Sequence, residues 1–414
     1  MSFDFLWIFR KNKISEGISP KQLAWKRFRK NKLSMVGLWL ILISIVVSLL
    51  GYLLTPDSSP FANTQHLELA TKKPGFRAQF LKVRNNFDTP QHSIIHKMLF
   101  GESPSYQLIP IDEYYFETDK VHFTEYGWSD TDLPAITKSL DLVDVLYAVE
   151  FGKQSDLMNT GTVRFTSLSG QVKALAIENL KQEIIAEHLV QKRFILGTDH
   201  FGRDLLSRLL IGTRVSLSVG FISVFISLLI GVSLGTLAGY FKGWVDSVIM
   251  WLINVVWSIP TLLLVIAITL AIGKGYWQVF IAVGLTMWVE VARVTRGQVL
   301  SLREKEFIEA GRALGYRNFR IITRHIIPNI MSPIIVISAA NFASAILLEA
   351  GLSFLGIGVQ PPTPSWGSMI KDHYGYIIVD LAYLAILPGL AIMLMVLSFT
   401  LVGNGLRDAM DTRE

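Results

Sequence analysis

The chain has 414 residues, of which 51% are hydrophobic and 17% charged, and its net charge is +6. A soluble domain carries about 25% charged residues, so the deficit points to a membrane protein. There is no cysteine, which excludes disulfides, thiol nucleophiles and thiolate metal sites.

Residues 1–32 form a basic tail, with nine Lys and Arg between Arg10 and Lys32 against Glu16 alone. That bias predicts a cytoplasmic N-terminus. Leu33 to Leu54 follows without a charge. At roughly 1.5 Å per residue such a run covers about 33 Å as a helix, enough to cross a hydrocarbon core of about 30 Å. Secretory signal cores run about 7–15 residues and end at a small-residue cleavage site. This run is longer and leaves through "GYLLTPDSS", so it reads as an anchor, the first span.

Residues 55–195 are polar, with 14 Lys and Arg against 18 Asp and Glu, a net of −4. The alternation in "YYFETDKVHF" and "GTVRFTSLSG" reads as strand, and "VKALAIENLKQEIIAEHLV" reads as helix. The expectation is a small α+β insert outside the membrane, with a docking or partner-contact role. In "LGTDHFGRDLLSRLLIGTRVSLSVG", Thr198 or Asp199 is placed to cap a short helix. Its leucines, Leu205, Leu206, Leu209 and Leu210, suit a helix lying on the outer membrane face.

Residues 196–406 hold the remaining spans: Val215–Phe241, Ser247–Gly273, Gly275–Val289, Ile326–Leu348 and Leu381–Leu406. Six spans return the C-terminal tail, residues 407–414, to the cytoplasm. The expected fold class is therefore an all-α polytopic membrane protein with six transmembrane helices, both termini inside, and a small α+β extracytoplasmic insert between helices 1 and 2. Pro260 and Pro388 are expected to kink their spans, which packed neighbours tolerate. Polar residues are costly in lipid, so Asn254, Asn341 and Glu349 are candidates for a pathway or for interhelical hydrogen bonds. Glu349 can also sit at the outer mouth, because "SFLGIGVQPPTPSWG" after it predicts a folded outer loop.

Several motifs have plainer readings than their chemistry. "GVSLG" has the G-x-S-x-G pattern of serine hydrolases but lies inside an apolar helix, where Gly231, Gly235 and Gly239 form a ladder for close helix packing. His92 and His96 stand at i, i+4 spacing without a third ligand in view, and read as a surface pair. No Walker loop occurs. No catalytic residue, metal, cofactor or nucleic acid is expected.

The loop 303–329 is the most informative stretch. It carries Arg303, Lys305, Arg312, Arg317, Arg320 and Arg324, which suits a positive-inside loop. Charge alone does not explain its grammar. Glu304–Leu314 reads as a helix, Gly315 as its left-handed C′ residue, and Asn318–Ile326 as a second short helix that Pro328 brings to an end. Phe307, Ala310, Gly311 and Leu314 are expected on one face of the resulting knob, with Glu309 at its edge.

"EAGRALG" followed by "RHIIPN" resembles the E-A-A-x-x-x-G loop of ABC-importer permeases, with Gly311 where that loop has alanine. "LGTDHFGRDLLSRLLIGTRVSLSVG" and "EAGLSFLGIGVQPPTPSWG" resemble the flanking signatures of the dipeptide and oligopeptide branch, which has a shorter insert. The resemblance implies a permease subunit paired with a second homologous permease, two cytoplasmic ABC ATPases and an extracytoplasmic solute-binding protein, set in inner-membrane lipid. Peptides are the implied substrate, with nickel chelates or glutathione-like compounds as alternatives. A secondary transporter would need a coupling-ion site and often inverted repeats, neither of which is evident.

Overall fold

The computed structural model describes residues 20–87, 92–127, 136–149, 156–158, 161–168 and 170–410. The first part of the basic tail (1–19) and the last four residues of the C-terminal tail lie outside them. The protein is mostly helical, at 65%, with a small region of sheet.

Helix α1 (Pro20–Lys30) leads into α2 (Lys32–Leu54), the predicted anchor. The Asn31 side chain caps α2 by accepting the Ser34 N–H.

The insert then runs β1 (Arg77–Arg84), α3 (Ile94–Phe100), β2 (Tyr106–Glu117), β3 (Lys120–Glu125), β4 (Thr137–Asp141), α4 (Leu142–Leu146), β5 (Asp156–Met158), β6 (Thr162–Thr166), β7 (Val172–Ala176), α5 (Ile177–Glu183) and β8 (Leu189–Arg193). The strands form an antiparallel five-stranded sheet, ordered β4-β3-β2-β1-β8, and a three-stranded sheet, β5-β6-β7. Leu81, Phe123, Leu142, Val145, Phe165 and Ile184 are buried in one core shared by both sheets and the short helices. The α+β reading of the insert therefore holds, with one boundary corrected. The run predicted as a single helix over Val172–Val190 is helical only in its middle. Its two ends are β7 and β8, because tertiary pairing with β6 and β1 outweighs local helix propensity.

Pairing of the insert's first and last strands, Arg77 opposite Arg193, brings its two ends together. Below this seam residues 55–76 interlock with 194–208. Thr71 N–H donates to the Asp199 carbonyl (2.9 Å), Lys72 N–H to Thr198 Oγ1 (2.8 Å), and Asp57 N–H to Ser207 Oγ (3.0 Å). Gly202 makes the closest approach. Its φ is +70°, and a Cβ there would overlap the His66 carbonyl.

The rest of the described chain is helical: α6 (Leu205–Phe241), α7 (Gly243–Trp257), α8 (Thr261–Ile272), α9 (Tyr276–Arg303), α10 (Glu306–Ala313), α11 (Asn318–Ile321), α12 (Ile327–Phe354), α13 (Trp366–His373) and α14 (Tyr383–Met410). Five helical stretches are long and apolar enough to cross a membrane: α2, α6, α9, Asn318–Phe354 and α14. The predicted third span is instead two helices, α7 and α8, bent by 92° at Ser258–Pro260. Pro260 has no N–H to continue α7 and disfavours helical geometry at Ile259, so the pair is a broken span or a re-entrant loop. By contrast α14 runs unbroken through Pro388.

Three further expectations are corrected. The separate surface helix after Thr198 does not exist. Asp204 is the cap, accepting the Ser207 N–H at 2.7 Å, and Leu205 begins the 37-residue α6 as a fully buried residue. The predicted short span Gly275–Val289 continues to Arg303, with Glu290 exposed on its flank. The helix expected to end before Glu349 runs on to Phe354, and Glu349 is fully buried on it, five residues before its end.

The glycine ladder packs as predicted. A Cβ at Gly231 would stand 2.6 Å from the Cβ of Val291, and one at Gly239 would stand 2.8 Å from the Cβ of Val299. Small residues on α6 thus let α9 lie directly against it. Nearby, Arg296 of α9 donates twice to Asp246 of α7 (2.5 and 2.7 Å), tying the broken pair to the bundle.

Candidate functional site

The knob between α9 and α12 is held by one buried side chain per turn. Ile308 of α10 is 1% exposed and sits in a cluster with Tyr240, Val299, Ile321, Ile326, Ile330 and Ile334. Gly311, one turn later, lies against the Tyr316 ring, 3.4 Å from where its Cβ would be. The expected grouping of Gly311 with Phe307 is therefore corrected. Gly311 turns inward beside Ile308, while Phe307, Glu309, Ala310 and Leu314 are exposed.

Gly315 closes α10 at φ +76°. Its N–H donates to the Arg312 carbonyl (2.9 Å), and the Tyr316 N–H reaches back to the Gly311 carbonyl (3.0 Å). Those two bonds are a Schellman motif, which satisfies carbonyls that a helix end leaves open. Tyr240 at the end of α6 then donates to Asn318 Oδ1 (2.8 Å), and the Arg312 guanidinium stands over the Tyr240 ring. Lys242 pairs with Glu304 at 2.6 Å. The knob is thus braced from below by α6 and α9.

Its outer surface is apolar where solvent would favour polar residues. Leu314 is 71%, Phe319 78% and Phe307 46% exposed. Arg317, Arg320 and Arg324 of the same knob are exposed as well, and Arg320 stacks on Tyr316 at 4.4 Å. Phe319 was not singled out from the sequence, although an aromatic between Arg317 and Arg320 is the signal that marks it.

Pro328 does not end a helix. Ile322–Ile326 form a π-turn that leads directly into α12, with the proline in its first turn. In the first turn of a helix the missing N–H costs nothing. The second short helix and the next span are therefore one path, Asn318–Phe354.

The three intramembrane polar candidates are not brought together as one site. Asn254 is exposed on α7, where Arg293 Nη2 lies 3.4 Å from its Oδ1 and the Arg293 guanidinium covers the Trp257 ring at 3.3 Å. Asn341 and Glu349 are buried on α12. The Ser353 hydroxyl donates to Glu349 Oε1 at 2.7 Å, while Glu349 Oε2 and Asn341 Nδ2 have no partner among the described residues. A groove of about 1000 Å³ runs between α9, α12 and α14, lined by Gln298, Ser332, Ser344, Thr400 and Asn404 among apolar side chains.

His92 and His96 stack with ring centroids 4.0 Å apart. Sequence reasoning missed a second histidine pair, His200 and His373, whose Nδ1 and Nε2 lie 2.9 Å apart with Asp199 beside them. The Met369 carbonyl can only accept, so His373 Nδ1 carries a proton and Nε2 accepts from His200. Burial holds both imidazoles below their usual range, and for His200 the neighbouring His373 adds to it. Asp199 is already engaged by Arg203 Nε (2.6 Å) and by the N–H groups of Phe201 and Arg203, with Arg208 at 3.6 Å. Two guanidiniums at that carboxylate oppose a metal cation there, and the group reads as a structural clasp.

Residues 231–414 match the family described as binding-protein-dependent transport system inner membrane component, and residues 19–74 match the N-terminal TM domain of oligopeptide transport permease C. A glutathione transport system permease protein of Pectobacterium atrosepticum is 42% identical over 218 residues, 53% of this chain and 72% of its own length. The chain belongs to this permease family. A dipeptide transport system permease protein of Alkalihalophilus pseudofirmus is 43% identical over 217 residues, 52% of this chain and 71% of its own. Among solved structures, the inward-facing methionine transporter MetNI is matched over 50% of this chain and 97% of its own, at 19% identity and a TM-score of 0.42. The permease is a multi-pass membrane subunit of an ABC importer, and its relatives are permease proteins rather than ATPases.

Proposed function

We propose that this permease forms half of a translocation pathway for peptides and couples it to ATP hydrolysis in two partner ATPases, with a second homologous permease completing the pathway. The observation that carries the coupling role is the knob itself: an apolar patch of Phe307, Leu314 and Phe319 held outward by the buried Ile308. An exposed apolar patch rimmed by charge marks a protein contact, and a rigidly braced one transmits displacement to α9 and α12. Glu309 and Ala310 lie on the same outward surface; Gly311, Gly315 and Pro328 set its geometry.

Six spans with both termini cytoplasmic is the topology this reading requires, with α7 and α8 together as the third span. The domain plan follows: tail 1–32, first helix 33–54, insert 55–195 on the outer side, permease core 196–406 and tail 407–414. The insert then faces an extracytoplasmic solute-binding protein, and the basic knob faces the cytoplasm, in agreement with the positive-inside rule. Asn254, Asn341, Glu349 and the groove beside α12 supply polar groups for the pathway or for the partner permease. Peptide substrates agree with the dipeptide relative, and a glutathione-like tripeptide with the other.

The test compares Leu314→Asp and Gly315→Val for co-purification of the ATPases and for uptake. Gly315 has nothing within 4 Å of a new Cβ, so valine there acts only through its strained left-handed backbone, by roughly 1–2 kcal/mol. Both variants should remain membrane-inserted and lose ATPase recovery and uptake together. Full recovery and full uptake in both would reduce the knob to a topogenic loop.

A further inference from the structure

The insert carries an apolar surface that nothing else in the described chain covers. In the two turns of α3, Ile94 is 73% and Ile95 67% exposed, and Leu99 and Phe100 are also exposed. At about 100° per residue Ile94, Ile95 and Leu99 share one side of the helix. Lys97 lies on the other side, paired with Glu102 at 2.7 Å. Isolated exposed leucines need no explanation, but a cluster of large apolar side chains on one face does.

Arg214 of α6 fixes where this helix sits. Its Nε donates to the Ser48 carbonyl (2.9 Å) and its Nη2 to the carbonyls of Leu49 (3.3 Å) and Met98 (3.0 Å), while Nη1 reaches Leu99. One guanidinium therefore pins the C-terminal end of α3 level with Ser48 and Leu49 of α2. Ser48 is six residues before the end of α2, about 9 Å along the helix at 1.5 Å per residue. The same guanidinium stands over the ring of Tyr52, at 5.1 Å, one turn further along α2. At this level α2 is itself apolar and uncovered, with Val46, Leu49 and Leu53 exposed. The apolar side of α3 continues that surface.

We infer that α3 is an interfacial membrane helix, seated with Ile94, Ile95 and Leu99 in the acyl boundary of the leaflet on the insert's side. The partner is lipid, and the inference requires only that α2 crosses the membrane. The seat gives the insert a third attachment besides its two chain connections. It holds the sheet at a fixed tilt to the membrane instead of leaving it to pivot on the seam above α2 and α6.

The cysteine-free sequence makes the test direct. Single cysteines at Ile94 and Ile95, spin-labelled in the full-length permease complex in liposomes, are compared with labels at Leu49 and at Glu178, which is exposed on α5. Collision with oxygen, which concentrates in the bilayer, and with a water-soluble nickel chelate is measured at each site. Labels at Ile94 and Ile95 should resemble Leu49, with oxygen collision exceeding chelate collision several-fold, while Glu178 shows the reverse. Chelate access at Ile95 equal to that at Glu178 would place α3 in water and overturn the inference. Low collision with both reagents would mean that a protein partner, not lipid, covers the helix, and would overturn it equally.

Discussion

Gly235 of α6 lies directly beneath Ala292 of α9. A Cβ on Gly235 would press into the Ala292 carbonyl oxygen and stand 2.7 Å from the Thr295 Cβ. The contact is backbone against backbone, so neither side can yield by changing a rotamer. Gly235→Ala should therefore force α6 and α9 apart, at about 1–3 kcal/mol for overpacking. Gly297→Ala on α9 meets nothing within 4 Å and should be neutral or slightly stabilising, since alanine is the better helix former. Thermal unfolding of the two variants in detergent checks this: a fall for Gly235→Ala alone is expected, and equal behaviour would mean the helices do not pack through the ladder.

Asp199 should be among the most sensitive residues outside the spans. It is fully buried between Arg203 and Arg208, which are themselves buried. Removing the carboxylate strands two guanidiniums, a loss of about 3–5 kcal/mol for a broken buried pair. Asp199→Ala should sharply lower the amount of folded protein, with Asp199→Asn intermediate because it can still accept the Phe201 and Arg203 N–H groups. Lys73→Ala also removes an ion pair, 3.1 Å to Asp380, but both partners are exposed and water screens the pair. Its abundance should match the parent.

The insert should lose stability in mild acid. Burial, with Lys192 adding to it and Asp57 opposing, holds the His66 imidazole down at about 4 against an ordinary 6.5. The unfolded chain therefore takes up the proton first as pH falls. Stability is full above about pH 6.5 and drains away down to about pH 4, by about 3 kcal/mol at about 1.4 kcal/mol per unit. Hydrogen-exchange protection of β1, corrected for the intrinsic effect of pH, should fall across that window. The fall should be smaller in His66→Leu, and an unchanged slope in that variant would remove His66 from the account.

The knob shows where sequence reading succeeded and where it stopped. Gly315 announced a left-handed cap because few other residues tolerate that backbone, and φ is +76°. Which side of α10 faced outward was not legible. Phe307, Gly311 and Leu314 share a helical face on paper, but the wall formed by Tyr240, Val299 and Ile330 takes Ile308 and turns Gly311 inward. Pro328 carried the same ambiguity. Its local preference is to end a helix, and a preceding π-turn lets the helix continue through it.

What the sequence determined by itself is what depends on the chain's neighbours along its own length: charge-free runs long enough to span, glycines spaced one turn apart, the cap at Gly315 and the strand alternation of the insert. What only the tertiary structure decided depends on groups far apart in the chain. The 92° break at Pro260, the strand ends of Val172–Val190, the burial of Glu349 and the clasp of Asp199 with Arg203, Arg208, His200 and His373 are all of this kind. Local sequence sets backbone preference by about 1 kcal/mol per residue. Burial against a distant partner contributes more than that for a single side chain, so the distant partner wins wherever the two conflict.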